Sequence, residues 1–146
     1  DIGLKTTIPK QYAKEYNISS EDFYAAIHEH QAWKDFTLGL ITEAEYLKVC
    51  AGHLTTGKFD GERFKELLDK YTFPNLPMIE FIKNELVGKY KLGVISNSPK
   101  EWFDRFLQRT GLYDIIEIKL ASGYVHLRKP DKKILYMMKE EIKRIK

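Results

Sequence analysis

What most constrains this chain is a short apolar run that ends in three small polar residues. Leu92-Gly93-Val94-Ile95 leads into Ser96-Asn97-Ser98, with Pro99 immediately after. An apolar run this short, bounded by polar residues, predicts a strand buried on both faces, as in a parallel sheet. Ser98 as N-cap, Pro99 at the first helical position and Glu101 closing a capping box predict a helix directly behind it. Trp102, Phe103, Phe106 and Leu107 give that helix an apolar stripe, and Gly111 stands where a C-terminal glycine cap belongs. Ser96, Asn97 and Ser98 therefore occupy the turn between the C-terminal end of a strand and the N-terminus of a helix. In open α/β sheets ligands bind there, and free amides with the helix dipole suit the place to phosphate.

A second segment follows in the same style. Ile116, Ile118 and Leu120 alternate with Glu117 and Lys119, which predicts a strand with one buried face. Ser122-Gly123 breaks it, and Tyr124-Val125-His126-Leu127 fits either a short hairpin or an extended arm. Arg128-Lys129-Pro130-Asp131 comes next, with Asp131 placed to cap a last helix through Ile134, Met137, Met138 and Ile142. Lys129 is expected over the same end of the sheet as Ser96.

Together these residues resemble two motifs of the haloacid dehalogenase superfamily. Val94-Ile95-Ser96-Asn97-Ser98 is similar to its second motif, an apolar strand ending in Ser or Thr. Ser122-Gly123 with Arg128-Lys129-Pro130-Asp131 and Ile134 is similar to its third, built around the lysine. Ala32-Trp33-Lys34 with the run from Gly39 to Tyr46 also resembles the helical cap of one large branch. The resemblance implies an α/β fold, a Rossmann-like parallel-sheet core over 1–8 and 74–146 with an inserted all-helical cap over 9–73.

It also implies chemistry: phosphoryl transfer through an aspartyl-phosphate, on a small phosphorylated metabolite, with Mg²⁺ as cofactor. Asp1, in Asp1-Ile2-Gly3, would be the nucleophile and a metal ligand; the plain alternative is a terminal residue without a role. Gly3 stands where many members carry a second aspartate. Ser96 and the amide of Asn97 would hold the phosphate oxygens, and Lys129 would neutralise charge on aspartate and phosphate. A 2-haloacid dehalogenase shares the aspartate, serine and lysine without the metal. A catalytically inactive binding module of the same fold is the third reading, favoured by the lack of paired acidic residues after Lys129. Family members carry a strand before the aspartate and another after the lysine motif. Their lack here would leave bare sheet edges, so the 146 residues are expected to be joined pieces of a longer protein.

The remaining sequence between Pro9 and Tyr71 predicts helices. Ser19 opens one, with Phe23, Ala26, Ile27, His30 and Trp33 on one face. Thr42 with Glu45 boxes the start of the next, which Gly52 ends, and Asp60 starts another with Phe64, Leu67, Leu68 and Tyr71. Pro77 to Val87 predicts a helix stopped by Gly88. His28 and His30 would point to different helix faces and so share no zinc site. The single cysteine, Cys50, permits no internal disulfide and fits a small buried apolar role in a reducing, cytoplasmic setting. A net charge of +3 without a basic block argues against a nucleic-acid partner, and no apolar run suits a membrane. Cap residues carry no signature of substrate or of oligomeric state.

Overall fold

The computed structural model describes residues 6–55 and 57–145. Asp1, the expected nucleophile and metal ligand, lies outside the described residues. In chain order the elements are α1 (Ile8–Tyr16), α2 (Ser20–His28), α3 (Gln31–Thr37), α4 (Glu43–His53), α5 (Gly61–Tyr71) and α6 (Leu76–Phe81). A π-turn over Ile82–Leu86 leads to β1 (Gly93–Ser96), α7 (Lys100–Thr110), β2 (Ile118–Ala121), α8 (Ser122–Val125) and α9 (Lys132–Arg144). No described helix is long and apolar enough to cross a membrane. The described residues fall into two compact units, 6–34 with 42–73 and 35–41 with 74–145.

The first unit is helical. Ser19 caps α2 by accepting from the Asp22 amide, Thr42 and Glu45 form the full capping box of α4, and Asp60 caps α5 by accepting from the Arg63 amide. These caps satisfy amides that a helix start otherwise leaves unpaired. Their apolar faces meet in a core of Ile8, Tyr12, Phe23, Ile27, Tyr46, Cys50, Phe64 and Leu67. Tyr12 stacks on Phe23 at 4.0 Å and Phe23 meets Phe64 edge-on at 5.7 Å. Two boundaries differ from expectation. The helix begun at Ser20 closes at His28, with the Glu29 amide donating to Ala25, so His30 and Trp33 do not share its face. Gly52 does not end α4, whose last turn runs to His53 and closes through the Leu54 amide.

The second unit is α/β. β1 and β2 pair in parallel, with Gly93 opposite Ile118 and Ser96 opposite Ala121, and α7 connects them. Parallel neighbours need such a crossover, and the apolar stripe of α7 supplies its packing. Phe103 and Leu107 join Ile79, Leu112, Ile116 and Ala121 in one cluster, with Val94 and Phe106 against it. Gly111 takes the left-handed conformation at φ 66°, as a glycine cap requires. Asp131 caps α9 by accepting from the Lys133 amide.

Several expectations for this unit are corrected. β1 is not buried on both faces: Gly93 is exposed and Val94 to Ser96 are half-buried, because among the described residues β1 pairs with β2 alone. Ser98 does not cap α7. Its hydroxyl turns to the Pro99 carbonyl at 3.3 Å, Pro99 takes the cap position, and the helix starts at Lys100. Tyr124 to Leu127 forms neither hairpin nor extended arm, since 122–125 is the single turn α8, closed by His126 at φ 54°. The stretch from Pro77 is a short α6 passing into the π-turn, ahead of Gly88 at φ 79°.

Candidate active site

β1 delivers Ser96, half-buried, to the C-terminal end of the parallel pair. The next residue reaches across to the lysine segment. Asn97 accepts the Lys129 amide at Oδ1 (2.7 Å) and donates from Nδ2 to the Lys129 carbonyl (2.9 Å). The Lys129 amine donates in turn to the Ile95 carbonyl at 3.1 Å. Both ends of the lysine are thus referenced to residues 95–97, on either side of Ser96. The Lys129–Pro130 peptide is cis, and the Asp131 amide donates back to the Arg128 carbonyl at 2.8 Å.

The turn after β2 is held against the turn after β1. The Gly123 amide donates to the Ser98 carbonyl at 3.1 Å. Ser122 is fully buried, and its hydroxyl donates to the Thr37 carbonyl and, at 3.3 Å, to the Ser98 carbonyl. The backbones come so close that a Cβ on Gly123 would stand 2.5 Å from the Lys100 amide nitrogen. That contact explains a glycine at 123 without any left-handed conformation.

Segment 35–41 completes this surround. Arg128 donates to the Thr37 hydroxyl at 2.9 Å, and His126 donates from Nδ1 to the Leu38 carbonyl at 2.6 Å. Phe36, fully buried, meets Trp102 edge-on at 5.3 Å. These partners lie some ninety residues from the arm they hold, at separations of 91 and 88. The sequence pattern gave no sign of them beyond the glycines at 39 and 123.

The expected site residues Ser96, Asn97 and Lys129 are therefore brought together. Chemically, the place offers small polar groups at a strand end beside an anchored ammonium, with the N-terminus of α7 following. Such a set favours an anion. It does not by itself fit Mg²⁺, a hard cation that takes oxygen ligands with carboxylates among them. The described residues contain no group of three or more acidic, histidine or cysteine side chains able to hold a metal ion. His28, His30 and His53 are placed elsewhere, in ring stacks of the helical unit: His28 on Tyr24 at 4.9 Å and His30 on His53 at 4.5 Å.

A parallel pair joined through a helix, with serine and lysine converging on one strand end, fits the core of an α/β hydrolase. Residues 4–146 match the profile of the haloacid dehalogenase-like hydrolases, and the chain belongs to that family. Pyrimidine 5'-nucleotidase YjjG of Escherichia coli is 30% identical to it over 82% of this chain and 56% of its own length. The chain thus spans about half the length of that curated relative.

Proposed function

We propose that the protein hydrolyses phosphate monoesters of small molecules, with nucleoside 5'-monophosphates the first class to test. The observation that carries this reading is the anchored Lys129 amine at the end of β1, 3.1 Å from the Ile95 carbonyl and one residue from Ser96. A phosphate ester and its transition state spread negative charge over the non-bridging oxygens. The Ser96 hydroxyl and the Asn97 main-chain amide donate to those oxygens, and Lys129 offsets their charge. The relative named as a pyrimidine 5'-nucleotidase supports a nucleotide as the substrate.

In this reading Asp1 is the nucleophile. Its carboxylate attacks phosphorus, the alcohol leaves, and water then cleaves the aspartyl-phosphate to inorganic phosphate. Mg²⁺, when bound, supplies charge neutralisation at the phosphate. Asp1 would be one of its carboxylate ligands; the described residues provide no group of three or more that could hold it. We assign the helical unit as the cap that selects the substrate.

The test uses the full-length protein with Mg²⁺, measuring inorganic phosphate released from pyrimidine and purine 5'-monophosphates and from sugar phosphates. Ser96→Ala and Lys129→Ala should each lower kcat by roughly 10²–10³-fold. Unchanged turnover in either variant overturns the site. Halide release from a 2-halo acid without metal, and no phosphate release, would assign a dehalogenase instead.

A further inference from the structure

We propose that Asn97 is the positioning residue of Lys129, acting through the lysine main chain rather than through its side chain on the substrate. The inference rests on the reading of Lys129 as the charge-neutralising group. A carboxamide presents one acceptor and one donor edge side by side. Asn97 spends both on a single residue, taking the Lys129 amide at 2.7 Å and giving to the Lys129 carbonyl at 2.9 Å. Both distances lie within the range of well-formed hydrogen bonds. The side chain thereby does for Lys129 what a neighbouring strand does for a residue in a ladder.

This clamp matters because of where Lys129 sits. It is exposed and follows α8, in a stretch that pairs with no strand among the described residues. A lysine has four side-chain torsions, so its amine is well placed only if its main chain is fixed first. Asn97 fixes the main chain, and the Ile95 carbonyl then receives the amine at 3.1 Å. Ser96 lies between these two anchor residues. Three hydrogen bonds therefore set the ammonium relative to the phosphate-holding serine.

Other side chains do not reproduce the pair. Aspartate lacks the donor for the Lys129 carbonyl, serine offers one short group, and glutamine adds a methylene that displaces both bonds. Misplacement of a reacting or charge-bearing group by about 1 Å costs on the order of 10²-fold in rate.

The test is a double-mutant cycle in the full-length protein, read by turnover of p-nitrophenyl phosphate and by hydrogen exchange at the Lys129 amide. Asn97→Ala should lower kcat by roughly 10²-fold with KM changed only a few-fold. The Asn97→Ala, Lys129→Ala double variant should be no slower than Lys129→Ala, because a residue acting through the lysine adds nothing once its side chain is gone. The Lys129 amide should exchange at least ~10-fold slower than a free peptide amide in the native protein, and lose that protection in Asn97→Ala. Multiplicative losses in the double variant would mean that Asn97 acts on the substrate directly, overturning the proposal. An unprotected Lys129 amide in the native protein would overturn it without any variant being needed. If Lys129→Ala retains full turnover while the amide is protected, the role given to the lysine fails and the clamp itself stands.

Discussion

Gly39 and Gly123 meet backbone to backbone: a Cβ on Gly39 would stand 2.0 Å from the Gly123 carbonyl oxygen. Gly39 also holds φ at 70°, a conformation that side chains resist. Within the second unit this contact joins segment 35–41 to the turn that follows β2.

Alanine at 39 meets both penalties at once. Gly39→Ala should cost about 2 kcal/mol or more, of which the left-handed conformation alone accounts for about 1–2 kcal/mol. Gly123→Ala should destabilise through its contact with the Lys100 amide nitrogen at 2.5 Å. Gly52, inside α4 with nothing within 4 Å of its Cβ position, should behave oppositely. Gly52→Ala should stabilise by about 0.5–1 kcal/mol. Urea melts of the three variants check the signs.

Ser122 offers one hydroxyl to two carbonyls, of Thr37 and Ser98, in a fully buried position. Ser122→Ala should cost about 1–3 kcal/mol, because the Thr37 carbonyl loses a donor where water has poor access. A denaturation midpoint equal to that of the native protein would contradict the packing described for this segment.

Acid should weaken the helical unit through Glu15. The Arg63 guanidinium grips its carboxylate at 2.7 and 2.9 Å, Gln11 adds a third bond, and together they hold the carboxyl down at about 2 from an ordinary 4.5. A carboxyl depressed in the folded state contributes stability above its ordinary value, and that contribution is lost as pH falls from 4.5 towards 2. Stability measured across this window should fall less steeply in Glu15→Gln.

At the alkaline end the sign reverses. The hydrogen bond from Tyr16 to Asp60, 2.7 Å long, raises the phenol from 10 to about 12. Its contribution is complete below 10 and disappears as pH rises through 12. Tyr16→Phe should flatten the stability profile between those values.

Burial pushes the Cys50 thiol up to about 12, so the reactive thiolate is scarce at neutral pH. Iodoacetamide at pH 8 should leave the native protein unmodified and alkylate it promptly in denaturant. Rapid labelling of the native protein would show that the helical core opens readily.

What could be read in the sequence was mostly local. The caps at Ser19, Thr42, Asp60 and Asp131 depend on three or four adjacent residues, and each formed where expected. Ser96, Asn97 and Lys129 were legible as a group because a strand end and a proline-flanked lysine both have sequence signatures. The failures share a cause. Ser98 had every local feature of an N-cap, but its turn is held by Ser122 and Gly123 from the far side of α7. His126 looked extended, but it closes a helical turn and donates to Leu38, a partner 88 residues away. Asn97 was expected to serve through its main-chain amide, and the use of its side chain on Lys129 was invisible until the two segments met. Long-range hydrogen bonds leave no periodic trace in a sequence.

The π-turn before β1 can be understood as a one-residue insertion. The Val87 amide skips an extra residue to donate to Ile82 at 3.1 Å, while Lys83 reaches the Thr110 carbonyl at 2.8 Å and secures the end of α7. Each residue of a regular helix advances the chain by about 100°. Deleting Asn84 would leave Lys83 on Thr110 but swing everything after it by roughly that angle. The bulge is therefore a phase setting: one surplus residue, ahead of the strand, aims the chain that becomes β1 and carries Ser96 to its end.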